Sequence, residues 1–189
     1  MRPVDSVVKL GGSLLKHPNH LDGVLHVVST AAPGRRVLVV PGGGPFADVV
    51  REVDRRYRLS DAAAHWMAVL AMDQYAHLIV SRLAASAFVS MPSEIAAAFD
   101  AGLVPVLAPS KWLRERDPLP HSWDVTSDSI AAWVAGEVGA RKLVLVKPPG
   151  TSGSGLVDPY FGRALPAQLA SVAIPADCVE ALREVLGAG

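Results

Sequence analysis

The chain has 189 residues, half of them hydrophobic, with 18 basic and 18 acidic side chains. This length and composition predict one globular domain spanning residues 1–189 and exclude general disorder. The balanced charge provides no overall field for binding nucleic acid or an anionic membrane. The single cysteine, Cys178, cannot form an internal disulfide, which is typical of a reducing compartment.

Neither a signal peptide nor an apolar run of the ~20 residues that span a bilayer is seen. We therefore expect a cytoplasmic protein with no membrane partner.

Strand-like and helix-like segments alternate along the chain. The pattern predicts strands at 4–10, 36–40, 87–89, 104–108 and 142–146, and helices at 21–32, 45–58, 61–83, 93–101, 126–138 and 175–186. Loops are expected after residue 108 and at 148–155, the second of them mobile. Such alternation predicts an α/β protein, a three-layer α/β/α sandwich with a mainly parallel sheet that binds ligands at the carboxyl ends of its strands.

The helix at 61–83 carries apolar and aromatic residues on more than one stripe. A helix of this kind lies either at the centre of a domain or in a subunit interface. The second possibility, a subunit interface, leads us to expect a homo-oligomer.

The first candidate site follows the first strand. Lys9 stands at the end of this strand, just before Gly11, Gly12 and Ser13. An ammonium over the mouth of the sheet and closely approaching backbone amides suit a phosphate group. The order differs from the P-loop, in which the lysine follows the glycines. A tight turn with a solvated lysine is the alternative.

The second candidate site is the triple glycine Gly42, Gly43 and Gly44, which closes another buried strand and opens a helix. Backbone amides and the helix dipole offer an anion site there. The segment also matches a dinucleotide-binding fingerprint, but the acidic residue at the required distance, Asp61, lies between two helical segments rather than after a strand.

The third candidate site is the segment 121–129, in which Asp124, Thr126 and Asp128 surround the start of a helix. Capping of that helix by Thr126 is one interpretation. The other is that Asp128 holds the strand-end lysines in place. His121 either contacts a substrate phosphate or is a solvated loop residue, and Trp123 either forms a wall of the acceptor pocket or packs the loop.

Three segments in this order, 7–13 (VVKLGGS), 39–44 (VVPGGG) and 126–132 (TSDSIAA), resemble the signatures of the amino acid kinase family. The resemblance implies an α/β/α sandwich, ATP with Mg²⁺, and transfer of a phosphoryl group to a carboxylate or phosphate oxygen of a small molecule. It also implies that Lys9 stabilises the transferring group, that the glycines supply amides and that Asp128 organises the lysines. The metal-binding residues are not indicated. An acceptor-binding part at about 1–125 and a shortened nucleotide-binding part at about 126–189 are expected.

Segment 121–129 (HSWDVTSDS) most resembles the kinases of furan-containing cofactor synthesis, which convert an aminomethylfuran-methyl phosphate to its diphosphate. The chain departs from the usual family pattern after residue 146, where Lys147 begins a Pro- and Gly-rich segment. Lys147 is either a second phosphate lysine or a surface lysine. A non-catalytic protein of the same fold that binds a nucleotide or small anion for storage or regulation is the alternative function.

Overall fold

A computed structural model describes residues 3–152 and 155–187. Its centre is a six-stranded sheet in which all strand pairs are parallel, in the order β3-β4-β2-β1-β5-β6. The strands are β1 (Ser6–Leu10), β2 (Val37–Pro41), β3 (Ser86–Val89), β4 (Val104–Leu107), β5 (Lys142–Lys147) and β6 (Ala170–Pro175). The expected sheet of an α/β/α sandwich is confirmed.

Helices connect the strands. They are α1 (Pro18–Ala31), α2 (Gly44–Tyr57), α3 (Asp61–Arg82), α4 (Pro92–Asp100), α5 (Ser110–Arg116), α6 (Ser127–Glu137), α7 (Phe161–Ala164) and α8 (Val179–Gly187), with a short 3₁₀ helix at Gly12–Lys16. In the described residues, no helix is both long and apolar enough to cross a membrane.

The sheet has a separate hydrophobic core on each face because alternate residues of a strand point to opposite sides. In β1, Val7 belongs to one core and Val8 to the other. Helices α1 and α8 cover the Val8 face, whereas α5 and α6 cover the Val7 face. Burial on both faces explains why the central strands are continuous apolar runs rather than alternating ones.

Helix α3 contributes residues to both cores, which include Val69 on one side and Ile79 on the other. Ser60 caps its start by accepting a hydrogen bond from the amide of Ala63. This double role accounts for many of the apolar residues on more than one stripe of the helix, whereas Met67 and Leu70 are exposed. The packing of this helix within the chain does not establish a subunit interface, so the homo-oligomer stays a prediction.

Several elements differ from the sequence prediction, and helix α7 and the 3₁₀ helix at Gly12–Lys16 are among those not predicted. Helix α5 lies where a loop was expected after residue 108, and β6 was not predicted at all. The helix expected at 175–186 begins only at Val179, because Pro175 ends β6. Strand β6 lies at the edge of the sheet and is largely exposed, and its Ala and Ser residues give little strand signal. Within the loop expected at 148–155, residues 153–154 lie outside the described residues.

The topology places the loops after β1 and β5 side by side. Strand β1 lies between β2 and β5, so the chain leaves β1 toward one side of the sheet and returns later on the other. Ligands of open α/β sheets bind at such a switch point, outside the carboxyl ends of the strands.

Tyr75 on α3 allows a test of the packing between this helix and the sheet. Its side chain is fully buried, and its hydroxyl has no hydrogen-bond partner among the described residues. Because an unpaired buried hydroxyl is destabilising, we expect Tyr75→Phe to leave the free energy of unfolding in urea unchanged or to raise it by about 1 kcal/mol. Tyr75→Ala, which removes the ring, should lower it by about 3–5 kcal/mol. A loss of more than about 1 kcal/mol in Tyr75→Phe would show that the hydroxyl has a partner.

Candidate active site

Two lysines lie at the carboxyl ends of the adjacent strands β1 and β5. Lys9 pairs in register with Leu145, and Lys147 follows two residues later on β5. Because side chains alternate along a strand, Lys9 and Lys147 point to the same face of the sheet. Both are almost fully buried, with 4% and 6% of their surface exposed. The sequence left the position of Lys147 open, and the structure places it beside Lys9 rather than on the surface.

Asp128, in the first turn of α6, joins these two lysines. Its Oδ1 atom lies 2.9 Å from the Nζ atom of Lys9 and 2.9 Å from that of Lys147, and its Oδ2 atom also accepts from Lys147 at 2.9 Å. Helix α6 packs on β1 and β5 and thereby brings Asp128 over the two strand ends. With both lysines protonated, the group carries one net positive charge, which suits it to an anion such as phosphate.

Burial and the neighbouring charges act in opposite directions on these groups. Burial raises the pKa of the Asp128 carboxyl, but the ammonium groups of Lys9 and Lys147 outweigh this effect and hold the pKa below its ordinary value. Burial, and next the charge of Lys9, lowers the pKa of Lys147, whereas Asp128 opposes both. The carboxyl group of Asp128 is therefore ionised at neutral pH.

Asp158 fixes the start of α6. Its carboxylate accepts from the amides of Thr126 at 2.9 Å and Ser129 at 3.0 Å, and also from the hydroxyl groups of both residues. Thr126 occupies the N-cap position, but the interpretation that its side chain caps this helix is wrong, because its hydroxyl donates to Asp158 instead of accepting from the helix. Sequence reasoning missed this function of Asp158, which lies about 30 residues away in a segment without regular structure.

The two glycine loops touch each other through their backbones. A Cβ atom at Gly12 would lie 1.9 Å from the amide nitrogen of Gly44, and one at Gly42 would lie 2.5 Å from the amide nitrogen of Gly12. Gly44 also has a φ of +55°, a conformation that favours glycine. The first amides of a helix have no partner within it, so Gly12 and Gly44, each the first residue of a helix, can present their amides to an anion.

A cavity of about 400 Å³ opens above these groups. Most of the predicted site residues line it: Lys9, Gly11, Gly12, Ser13, Gly43, Gly44, Trp123, Thr126, Asp128 and Lys147. Its wall also includes Arg51 of α2 and His65 of α3, together with Thr151 and Leu156 after β5. The cavity thus extends from the helices that follow β2 to the segment that follows β5.

Three predicted site residues lie outside the described lining of the cavity: Gly42, His121 and Asp124. The amide of Gly42 donates to the carbonyl of Leu10 at 2.8 Å, so Gly42 serves the contact between the glycine loops. Asp124 is exposed.

His121 packs against His65. The two rings are stacked with their centres 4.3 Å apart, and Nε2 of His121 lies 2.8 Å from Oδ1 of Asp117. His121 therefore lies behind the cavity wall, whereas His65, which the sequence did not indicate, lies in that wall. Burial, and next the proximity of His121, lowers the pKa of His65 to about 4, and Asp117 opposes this shift. His65 is consequently neutral at physiological pH.

No cluster of three or more His, Cys, Asp or Glu side chains that could hold a metal ion occurs in residues 3–152 and 155–187. Asp128 is already engaged by two lysines.

The part of the chain that carries these groups matches a known protein family. The amino acid kinase family model matches residues 6–148, from the start of β1 to the end of β5. The chain belongs to the amino acid kinase family. Its Lys9, glycine loops and Asp128 all lie within the matched region.

Individual relatives agree with this assignment. The chain is 27% identical over 159 residues to the (5-(aminomethyl)furan-3-yl)methyl phosphate kinase of Methanocaldococcus jannaschii, which covers 84% of this chain and 71% of that protein. Among solved structures, the uridylate kinase of Archaeoglobus fulgidus superimposes with a TM-score of 0.70 at 15% identity, covering 97% of this chain and 95% of the other. The UMP kinase of Ureaplasma parvum gives 0.68 at 15% identity, with 98% and 95% covered. At such identities these structures show the fold.

The low pKa of His65 predicts a pH dependence of stability. Its folded-state pKa of about 4 lies below the ordinary value of 6.5, so between these pH values the unfolded chain binds a proton that the folded chain does not. The free energy of unfolding should therefore fall as the pH is lowered from 6.5 to 4, by up to about 1.4 kcal/mol per pH unit from this residue. His65→Gln should flatten this dependence in urea titrations, whereas His26→Gln, on the exposed side of α1, should not. An unchanged slope in His65→Gln would contradict the assignment.

The capping of α6 by Asp158 predicts a combined loss of stability and activity. Asp158→Ala leaves the first amides of α6 without their acceptor and should lower the free energy of unfolding by about 1–2 kcal/mol. Because α6 carries Asp128, kcat should fall as well. Asp100→Ala, at the exposed end of α4, serves as the control and should change neither quantity. Urea unfolding and steady-state kinetics measure both, and an Asp158→Ala protein with unchanged kcat would show that the cap is not needed to hold Asp128.

Proposed function

We propose that this enzyme transfers the γ-phosphoryl group of ATP to a phosphate oxygen of a small phosphate monoester, most specifically an aminomethylfuran-methyl phosphate. The family and its named relatives make the chain a phosphotransferase that acts on a small molecule. The choice of acceptor is supported by the relative from Methanocaldococcus jannaschii, which is named for that substrate. The alignment with that relative covers 84% of this chain.

The observation that carries the proposal is the buried group formed by Lys9, Asp128 and Lys147. Phosphoryl transfer requires little covalent help from the protein and depends on positioning and charge stabilisation. The two ammonium groups lie where β1 and β5 end, and the Asp128 carboxylate fixes their separation. They would neutralise the charge on the transferring phosphoryl group, while amides of the glycine loops bind its oxygens or those of the acceptor phosphate.

In the proposed reaction, an oxygen of the acceptor phosphate forms a bond to the γ-phosphorus as the bond from that phosphorus to the β-phosphate oxygen breaks. The products are the acceptor diphosphate and ADP. Because the acceptor is already an anionic phosphate, no side chain has to remove a proton from it. This agrees with a site whose central carboxylate is occupied by two lysines rather than free to act as a base.

Mg²⁺ would be held mainly by the nucleotide's phosphates and water, and when bound it would further neutralise the phosphate charge. Lys9 and Lys147 would neutralise the same phosphate charge from the protein.

The cavity divides between the two substrates according to the sheet order. Helices α2 and α3 follow β2, on one side of β1, whereas the segment after β5 lies on the other side. We assign the first side, within residues 1–125, to the acceptor and the second, within residues 126–189, to the nucleotide. Asp48, Arg51 and Trp123 support an acceptor part with charged and aromatic groups.

Replacement of Lys9 tests the proposed mechanism. Lys9→Ala removes one of the two buried ammonium groups and should lower kcat by about 10²- to 10³-fold, the usual effect of losing one charge-stabilising donor. Lys111→Ala, at an exposed position on α5, should leave kcat unchanged. Coupled detection of ADP with the furan-methyl phosphate measures the rate. Wild-type protein that binds ATP and the acceptor but makes no ADP would instead support a non-catalytic binding protein.

A further inference from the structure

The side chain of Trp123 is held in place by a helix far from it in sequence. Trp123 lies in the segment between α5 and α6, which has no regular structure there. Its indole Nε1 donates to Oδ2 of Asp54 at 2.8 Å, and Asp54 belongs to α2. A tryptophan in a loop would otherwise have several rotamers available, and a hydrogen bond to a helix selects one of them.

A second residue of α2 packs on the same ring. The guanidinium carbon of Arg51 lies 4.7 Å from the centre of the Trp123 ring, a cation–π distance. Arg51 and Asp54 are three residues apart and therefore lie on the same side of the helix. One helix face thus binds the edge of the indole through Asp54 and covers the ring through Arg51.

Arg51 and Trp123 both line the cavity above the glycine loops, so the fixed ring and the guanidinium form part of one wall. The guanidinium is steadied in turn by Asp48, whose Oδ1 lies 3.3 Å from it. Aromatic rings and guanidinium planes both stack favourably on flat conjugated rings. An aliphatic ligand would gain much less from such a wall.

We infer that Asp54 and Arg51 are positioning residues that hold Trp123 as an aromatic wall of the acceptor site, and that this wall selects acceptors with a flat ring. The inference rests on the proposed function, and it assigns the acceptor's ring to this side of the cavity. Helix α2 follows β2, whereas the segment assigned to the nucleotide follows β5 on the other side of β1.

The first experiment compares two acceptors. One is (5-(aminomethyl)furan-3-yl)methyl phosphate and the other is 5-aminopentyl phosphate, which keeps the amine and phosphate but has no ring. Wild-type protein should bind the furan compound about 2- to 13-fold more tightly in calorimetry without ATP, the usual size of an aromatic contact. Trp123→Leu should abolish this preference and leave the KM for ATP unchanged. Tyr57→Leu, which removes an exposed ring at the end of α2, is the matched control and should keep the preference.

The second experiment tests whether Asp54 acts through Trp123. Asp54 also accepts from the amide of Leu59 at 3.1 Å, so its replacement could act on the turn after α2 instead. Trp123→Phe keeps an aromatic ring but removes the N–H group that binds Asp54. If Asp54 acts through the indole, Asp54→Ala should raise the acceptor KM in the wild-type background, with kcat little changed, and should have no further effect in Trp123→Phe.

The possible results distinguish the inference about the aromatic wall from the proposed kinase function. Equal binding of the two acceptors by wild-type protein, or a rise in the KM for ATP rather than the acceptor in Trp123→Leu, would overturn the inference while the kinase function stands. An equal effect of Asp54→Ala in both backgrounds would overturn the positioning role of Asp54. Conversely, selective binding of the furan compound without formation of ADP would support the wall and refute the kinase function.

Discussion

The contact of Asp128 with Lys9 and Lys147 is the interaction on which the rest of the site depends. Burying three charges costs several kcal/mol per ion unless each has a well-placed partner. The structure supplies these partners by placing Lys9 one residue before the end of β1 and Lys147 at the end of β5, and by starting α6 directly above them. The hydrogen bonds of Asp158 to the start of α6 therefore belong to the same network, since they fix the helix that carries the central carboxylate.

The features that could be predicted from the sequence are those with a local pattern. Lys9 and the glycine loops each follow an apolar run within a few residues, and the parallel sheet then brings the strand ends together. Contacts between distant segments could not be predicted in this way. Asp158 lies 29 residues from Ser129, and Asp54 lies 69 residues from Trp123. His121 was expected either to contact a substrate phosphate or to be a solvated loop residue, but it stacks on His65 of helix α3 and lies behind the wall. Strand β6 was missed because its composition favours no particular structure.

The group formed by Lys9, Asp128 and Lys147 and the proposed acceptor wall are built on different elements. Lys9, Asp128 and Lys147 belong to β1, α6 and β5, whereas Arg51 and Asp54 belong to α2. The uridylate and UMP kinases share this fold at 14–15% identity, so the arrangement of strands and helices persists through extensive changes in side chains. A division of this kind allows residues on α2 to change without disturbing the buried charges, because the two sets of side chains have separate partners.

The direct contact between Gly12 and Gly44 fixes a distance that no side chain can adjust. A Cβ atom on either glycine would collide with the backbone of the other loop, so the two loops approach each other through backbone atoms alone. In the proposed reaction these amides bind phosphate groups. The distance between those phosphate groups would therefore be set by backbone atoms alone. Substrates of different shape could be admitted by changes in the cavity wall, but the spacing of the phosphates would be the same for all of them.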